Sequence, residues 1–341
     1  AQALYDLART PDGQPFMLTV SFTSPHSPFV ISQEYWDRYD HDDIESPAVP
    51  PLDLDEMDHL SRNLHYCQGR HEFAVTDEHR RMARHGYYGM ISYIDDKVGQ
   101  LMKVLRETGL SEDTIVILAA DHGEMMGERG MWFKQHFFEW AASVPFIIYA
   151  PQRFSASRVT ENISLIDLMP TLLDLAEEGS FDGYAATVDG TSLFPALQGD
   201  TRAMSDIVIS EFAADGSTGP SRMVKHGAMK LMWLEGEDTV LYDLDADPNE
   251  INNLADDSMH AETRAKMEAI LFEGWDPNEL RSTIRQSQEQ RLAIHKITGG
   301  EPTWVNTIRD DDNARYIRNA GAADTKARAR LPYVAPARPD V

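Results

Sequence analysis

The sequence holds 341 residues, with 31 Lys and Arg against 56 Asp and Glu and a formal net charge of -25. That length fits about two domains at roughly 150 residues each and can bury a core unaided by disulfides, which the single cysteine, Cys67, excludes within the chain. The acidity argues against a nucleic-acid partner, and no apolar run approaches the roughly 20 residues of a membrane-spanning helix. No charged segment followed by an apolar stretch opens the chain at Ala1, so the expected compartment is the cytoplasm.

Phe16 to Phe22 (Phe-Met-Leu-Thr-Val-Ser-Phe) reads as a buried strand ending in the turn Thr23-Ser-Pro-His-Ser-Pro28. Residues 41 to 75 read as irregular, with Pro47, Pro50 and Pro51 among many carboxylates. Thr76, followed by Asp77 and Glu78, predicts a helix N-cap. The stripe Ile91, Ile94, Val98, Leu101 and Leu105 continues that helix until Gly109. Thr114 to Ala120 and Val144 to Tyr149 read as buried strands, and 167 to 178 as a helix. This order suggests an α/β sheet covered by helices. Beyond residue 185 the texture changes. Strands over Asp206–Glu211, Arg222–Lys225, Met229–Leu234 and Val240–Asp243 read as an antiparallel meander, followed by helices over His260–Glu273 and Asn278–Ile297. The expected division is 1–185, 186–300 and a tail, 301–341. The tail is near-neutral and poor in apolar residues, a composition that suits a solvated or partner-wrapping arm.

The stretch Ala119-Ala-Asp-His-Gly-Glu-Met-Met-Gly-Glu-Arg-Gly-Met-Trp-Phe-Lys134 is the most informative. Asp121 and His122 leave the carboxyl end of a strand, where open α/β sheets place their ligands. A carboxylate beside an imidazole there suits a pair of metal ligands, although two donors alone leave a divalent ion under-coordinated. The plainer alternative is a turn-capping aspartate beside a satisfied histidine.

Asp-His-Gly-Glu after an apolar strand, with Lys134 twelve residues past the histidine, resembles the sulfatase branch of the alkaline phosphatase superfamily. The Pro25-His26-Ser-Pro28 turn is a second match. Leu241-Tyr-Asp-Leu-Asp-Ala-Asp-Pro-Asn-Glu-Ile-Asn-Asn-Leu-Ala255 resembles the family's C-terminal signature. Met131-Trp-Phe-Lys134, the segment from Glu34 to Tyr39 and Arg315-Tyr-Ile-Arg-Asn319 are similar to the choline-sulfatase subfamily.

The resemblance implies a mixed sheet sandwiched by helices, with a smaller C-terminal domain of antiparallel sheet plus helix. It implies hydrolysis of a sulfate monoester, with choline sulfate as the expected substrate. Asp121 and His122 would be two ligands of a divalent cation. Calcium is the first expectation; an imidazole nitrogen is less typical of calcium than all-oxygen coordination, which leaves manganese and magnesium open beside it, and the family's commoner pattern is Asp-Asn. Lys134 would contact the sulfate as a fixed charge. His26 would donate to a sulfate oxygen or protonate the leaving oxygen. Glu211, at a strand end before Phe212 and a flexible loop, would face the quaternary ammonium; its alternative is an exposed strand-end glutamate. Sulfatases use a formylglycine made from Cys or Ser in a Cys-x-Pro-x-Arg motif, and none occurs in this sequence. Cys67-Gln-Gly-Arg70 lacks the proline and the spacing and reads as an ordinary cysteine. The nucleophile and the remaining metal ligands are therefore expected from a preceding N-terminal segment of the same enzyme. The tail suggests a homo-oligomer. Two other functions fit parts of the pattern: a phosphonate or phosphate ester hydrolase on the same scaffold, and a catalytically silent assembly module.

Overall fold

Thr76 starts the longest element. Its Oγ1 accepts from the His79 amide at 3.2 Å while its own amide donates to His79 Nδ1 at 3.1 Å, a capping box closed by histidine. In the computed structural model, which describes residues 1–297 except 11–13, 178, 180–182, 184–186, 203 and 238, this helix runs from Asp77 to Glu107. The described helices are α1 (Gln2–Ala8), α2 (Gln33–Trp36), α3 (His59–Cys67), α4 (Asp77–Glu107), α5 (Glu139–Ala142), α6 (Leu168–Ala176), α7 (Phe194–Leu197), α8 (Ala261–Phe272) and α9 (Pro277–Ile297). The strands are β1 (Val116–Ala119), β2 (Phe146–Tyr149), β3 (Ile207–Phe212), β4 (Ser221–His226), β5 (Met229–Trp233) and β6 (Val240–Asp243).

The mixed α/β class and the small antiparallel sheet match the expectation; three local readings need correction. Residues 16–22 form no strand, and Met17, Leu18 and Val20 are exposed. An apolar run becomes a strand only beside a ladder that takes its amides and carbonyls. Among the described residues the first sheet is only the antiparallel pair β1–β2, with Ala119 opposite Phe146. The stretch 41–75 contains α3, whose N-cap is Asp58, accepting from the Ser61 amide at 2.8 Å. In α4 the apolar stripe is buried only toward its end, where Val104 and Leu105 pack with Leu4. Ile91 is exposed, and nearer the start of the helix the buried face is His85, Gly86, Gly89 and Met90. The tail 301–341, with Arg315 to Asn319, lies outside the described residues, as does the stretch 184–186 where the domain boundary was expected.

The notch at Gly86 and Gly89 seats the chain that follows His26. A Cβ on Gly86 would stand 2.4 Å from the Phe29 carbonyl oxygen, and one on Gly89 would stand 2.9 Å from Ile31 Cγ2. Any side chain at Gly86 would push the turn off the helix.

The second sheet has the order β3-β4-β5-β6, antiparallel throughout. Its alternation produces two cores. Met223, Met232 and Tyr242 face Leu60 and Leu64 of α3 and Met125, Met131, Phe137 and Phe138 of the loop after β1. Val224, Leu231 and Leu241 face Met267 and Leu271 of α8. One charged group is sunk into the first face. Lys230 Nζ lies 2.8 Å from Glu139 Oε1 and 2.8 Å from Glu250 Oε1, with Lys230 and Glu250 fully buried. Lys225 reaches Glu139 Oε2 at 3.1 Å. Burial opposes charge on Glu139, but Lys230 and Lys225 outweigh it and hold its carboxyl below the ordinary value. The signature 241–255 builds the seat for Glu250. Asp247 Oδ2 accepts from the amides of Ile251 and Asn252 at 2.7 and 2.6 Å, and Asn253 Oδ1 accepts from the Leu241 amide at 3.0 Å.

Lys230→Ala leaves the buried Glu250 without its ammonium and Glu139 with Lys225 alone, and urea unfolding is expected to show a loss of about 3–5 kcal/mol. Since the folded value of Glu139 is depressed, its contribution is complete above its unfolded value near 4.5 and is lost as pH falls below it. Glu139→Gln should therefore flatten the acid limb of stability against pH.

Candidate active site

The chain leaving β1 turns back on itself through three backbone bonds. Gly123 N donates to Ala141 O, Glu124 N to Trp140 O and Met125 N to Phe133 O, each at 2.8 Å. Gly123 is required for this approach, because a Cβ there would stand 2.1 Å from the Trp140 oxygen. The return limb carries Lys134 between Phe133 (φ 67°) and Gln135 (φ 59°), both in the left-handed region that bulky residues avoid.

Lys134 Nζ lies 3.2 Å from His26 Nε2, so the structure joins two predicted residues 108 positions apart. His26 Nδ1 is 2.7 Å from the Ser27 carbonyl oxygen, which can only accept; the ring proton is thus on Nδ1. Nε2 then offers its lone pair to the lysine ammonium. The turn holding His26 contains the cis bonds Ser24–Pro25 and Ser27–Pro28.

The second pair is Asp121 and His122. His122 Nδ1 lies 2.7 Å from the Gly123 carbonyl oxygen, which again places the proton on Nδ1 and leaves on Nε2 a lone pair of the kind that can ligate a metal. Asp121 Oδ2 is 3.6 Å from that Nε2, and its side chain is 88% exposed. A carboxylate oxygen and an imidazole lone pair at that spacing fit two neighbouring ligands of one divalent ion. No group of three or more His, Cys, Asp or Glu able to hold a metal occurs among the described residues. The set is thus a partial one.

Glu211 stands near the end of β3. It pairs across β3–β4 with Arg222, at 3.3 Å from Arg222 Nε, and is 45% exposed. Strand alternation sets Glu211 with Ile207 and Ile209, on the face that packs with α8, whereas Phe212 joins the core beneath the Lys134 loop. Cys67 is exposed at the carboxyl end of α3.

Sequence reading missed a buried support beside Lys134. The Phe137 amide donates to His136 Nδ1 at 2.9 Å, so Nε2 carries the proton toward Ser61 Oγ at 3.1 Å and Asp58 Oδ1 at 3.3 Å. Burial works against the Asp58 charge, yet His136 and two bonds from Ser61 hold its carboxyl far below the usual range. The sequence signal was slight: a histidine two residues past Lys134 and an Asp-x-x-Ser helix start.

The profile of the Sulfatase family matches residues 1–178, and that of the N-sulphoglucosamine sulphohydrolase C-terminal domain matches residues 127–277. The chain belongs to the sulfatase family. It is 35% identical over 332 residues to the choline-sulfatase of Rhizobium meliloti, covering 95% of this chain and 64% of that protein. It is 28% identical over 274 residues to an arylsulfatase of Clostridium perfringens, covering 78% and 54%. The chain thus spans about half to two-thirds of the length of these curated relatives. Among solved structures, the phosphonate monoester hydrolase of Agrobacterium radiobacter superposes with a TM-score of 0.65 at 25% identity, over 78% of this chain and 57% of the other. That of Silicibacter pomeroyi gives 0.60 at 26% identity, over 79% and 54%. No described helix is long and apolar enough to cross a membrane.

Gly123→Ala is expected to cost about 1–3 kcal/mol through overpacking against Trp140. A melting curve measures the loss, and the exchange rates of the Gly123 and Glu124 amides should rise with it.

Proposed function

We propose that this chain carries the sulfate-binding and proton-donating half of a sulfate monoester hydrolase. The observation that carries the reading is the contact of Lys134 Nζ with a lone-pair-bearing His26 Nε2. An ammonium fixed there supplies a point charge for a sulfate oxygen. Cleavage frees an alcohol oxygen that has to take up a proton. His26, anchored to Ser27 through Nδ1, holds that proton at Nε2 when the ring is cationic and delivers it to the ester oxygen. Asp121 and His122 would hold a divalent ion, calcium first and manganese or magnesium next. Such an ion supplies positive charge to oxygen atoms of the sulfate and the nucleophile. The formylglycine nucleophile and the remaining metal ligands would come from a preceding segment. Exposed Met17, Leu18 and Val20, together with Leu118 of β1 and Ile147 and Tyr149 of β2, suit a surface which that segment covers.

Choline sulfate is the substrate that the choline-sulfatase relative supports. Glu211 would receive the quaternary ammonium in competition with Arg222. The phosphonate monoester hydrolases among the structural neighbours favour the second reading, a phosphonate ester hydrolase. Assembly into a homo-oligomer through the tail and residence in the cytoplasm complete the proposal.

Enzyme complete with its nucleophile segment is to be assayed on choline sulfate, p-nitrophenyl sulfate and a p-nitrophenyl phosphonate ester. Choline sulfate should have the highest kcat/KM, and a faster phosphonate would sink the sulfatase reading. Lys134→Ala should lower kcat/KM on all sulfate esters about 10²–10³-fold. His26→Ala should cost about 10²-fold on choline sulfate and far less on p-nitrophenyl sulfate, whose leaving oxygen needs no proton. Elemental analysis of His122→Ala should show the divalent metal lost, with activity falling in parallel as it does on chelation.

A further inference from the structure

The segment Cys67-Gln-Gly-Arg70, which lacks the spacing of a nucleophile motif, lies behind the Lys134 loop. α3 ends at Cys67, and Gly69 turns the chain at φ 67° so that Arg70 points back into the protein. Its Nη1 donates to the Gly130 carbonyl at 2.8 Å and its Nη2 to the Trp132 carbonyl at 2.6 Å; Nη2 also donates to Gln68 Oε1. Gln68 Nε2 then reaches Gln135 Oε1 at 2.6 Å. On the opposite limb, Glu124 Oε1 accepts from the amides of Phe133 and Met126. Residues 130, 132, 133 and 135 are therefore all held by side chains, and only Lys134 between them is turned to His26.

We propose that Arg70 is a positioning residue for Lys134, its guanidinium fork fixing the loop so that the ammonium meets His26 Nε2. The inference rests on the reading of Lys134 as the sulfate ligand. Three observations carry it. The flanking residues Phe133 and Gln135 have positive φ, a backbone that persists only where its surroundings over-determine it. The Arg70 bonds run to carbonyls, an amide and the Met131 sulfur, and among the described residues no carboxylate is hydrogen-bonded to it, so an ordinary ion pair does not explain the residue. Burial pulls its guanidinium down to about 9, with Glu124 opposing, which is a burden kept for a geometric purpose. Arginine suits that purpose because two carbonyls two residues apart need several donors in one rigid plane, which an ammonium on a flexible stem does not offer.

The test uses the complete enzyme with Arg70→Ala, Arg70→Lys, Lys134→Ala and the double variant Arg70→Ala/Lys134→Ala. One readout is the nitrogen spectrum of His26, which reports the Lys134 contact without turnover. The other is kcat/KM on choline sulfate, with melting to register folding. In Arg70→Ala and Arg70→Lys the His26 signal should move to its position in Lys134→Ala, and kcat/KM should fall about 10²-fold, as for a misplaced catalytic group. Guanidinium in the buffer should restore Arg70→Ala and leave Lys134→Ala unchanged. The double variant should be no slower than Lys134→Ala. An unmoved His26 signal in Arg70→Lys overturns the proposal, as does a double variant slowed by the same factor that Arg70→Ala shows alone. If Arg70→Ala does not fold, Arg70→Lys decides by the same two readouts. Should Lys134→Ala keep wild-type turnover, the sulfate-binding reading fails, while the positioning role is decided by the His26 signal alone.

Discussion

The loop that carries Lys134 depends on one buried lysine. Lys230 rises from β5 into a space sealed by the Lys134 loop and meets Glu139 and Glu250 at 2.8 Å each. A charge there is tolerable only while both carboxylates face it, so the sheet, α5 and the turn at residue 250 have to arrive together. Arg129 adds to the same knot, donating to the Glu250 carbonyl at 3.1 Å with its guanidinium 4.4 Å from the Phe138 ring centre. The loop between Gly123 and Ala142 thus rests on a floor that is apolar in its middle and ionic at one edge.

Above that floor the chemistry is set by carbonyl groups. Ser27 O fixes the tautomer of His26, and Gly123 O fixes that of His122. In both rings Nδ1 is spent on the backbone, which leaves the lone pair on Nε2; it faces the Lys134 ammonium in one case and lies 3.6 Å from Asp121 Oδ2 in the other. Two imidazoles of the same type meet different neighbours at Nε2, with no difference in their anchoring.

Much of this was legible in the sequence. The meander from Asp206 to Asp243 alternates and turns so regularly that all four strands emerge within two residues of expectation. Thr76 marks the start of α4 unambiguously because a cap is a local device. The pairing of His26 with Lys134 was legible only through family resemblance, as nothing local links residues 108 positions apart. Two failures have physical causes. Residues 16–22 have strand composition, but a strand is completed by a neighbour that composition does not supply. α3 was hidden among prolines and carboxylates because its apolar positions, Leu60 and Leu64, are few and its signal is mostly the Asp58 cap. Arg70 was illegible altogether, since its partners in the Lys134 loop are backbone carbonyls that any sequence offers.

The two members of the central pair stand on different supports. His26 belongs to a turn laid on α4, with the Phe29 carbonyl pressed to Gly86, whereas Lys134 belongs to a loop laid on the small sheet. Neither support alone brings ammonium to imidazole. A chain with either support disturbed therefore loses the contact between ammonium and imidazole. The 3.2 Å contact acts as a vernier between the two bodies: a small slippage of one against the other opens it while leaving each intact.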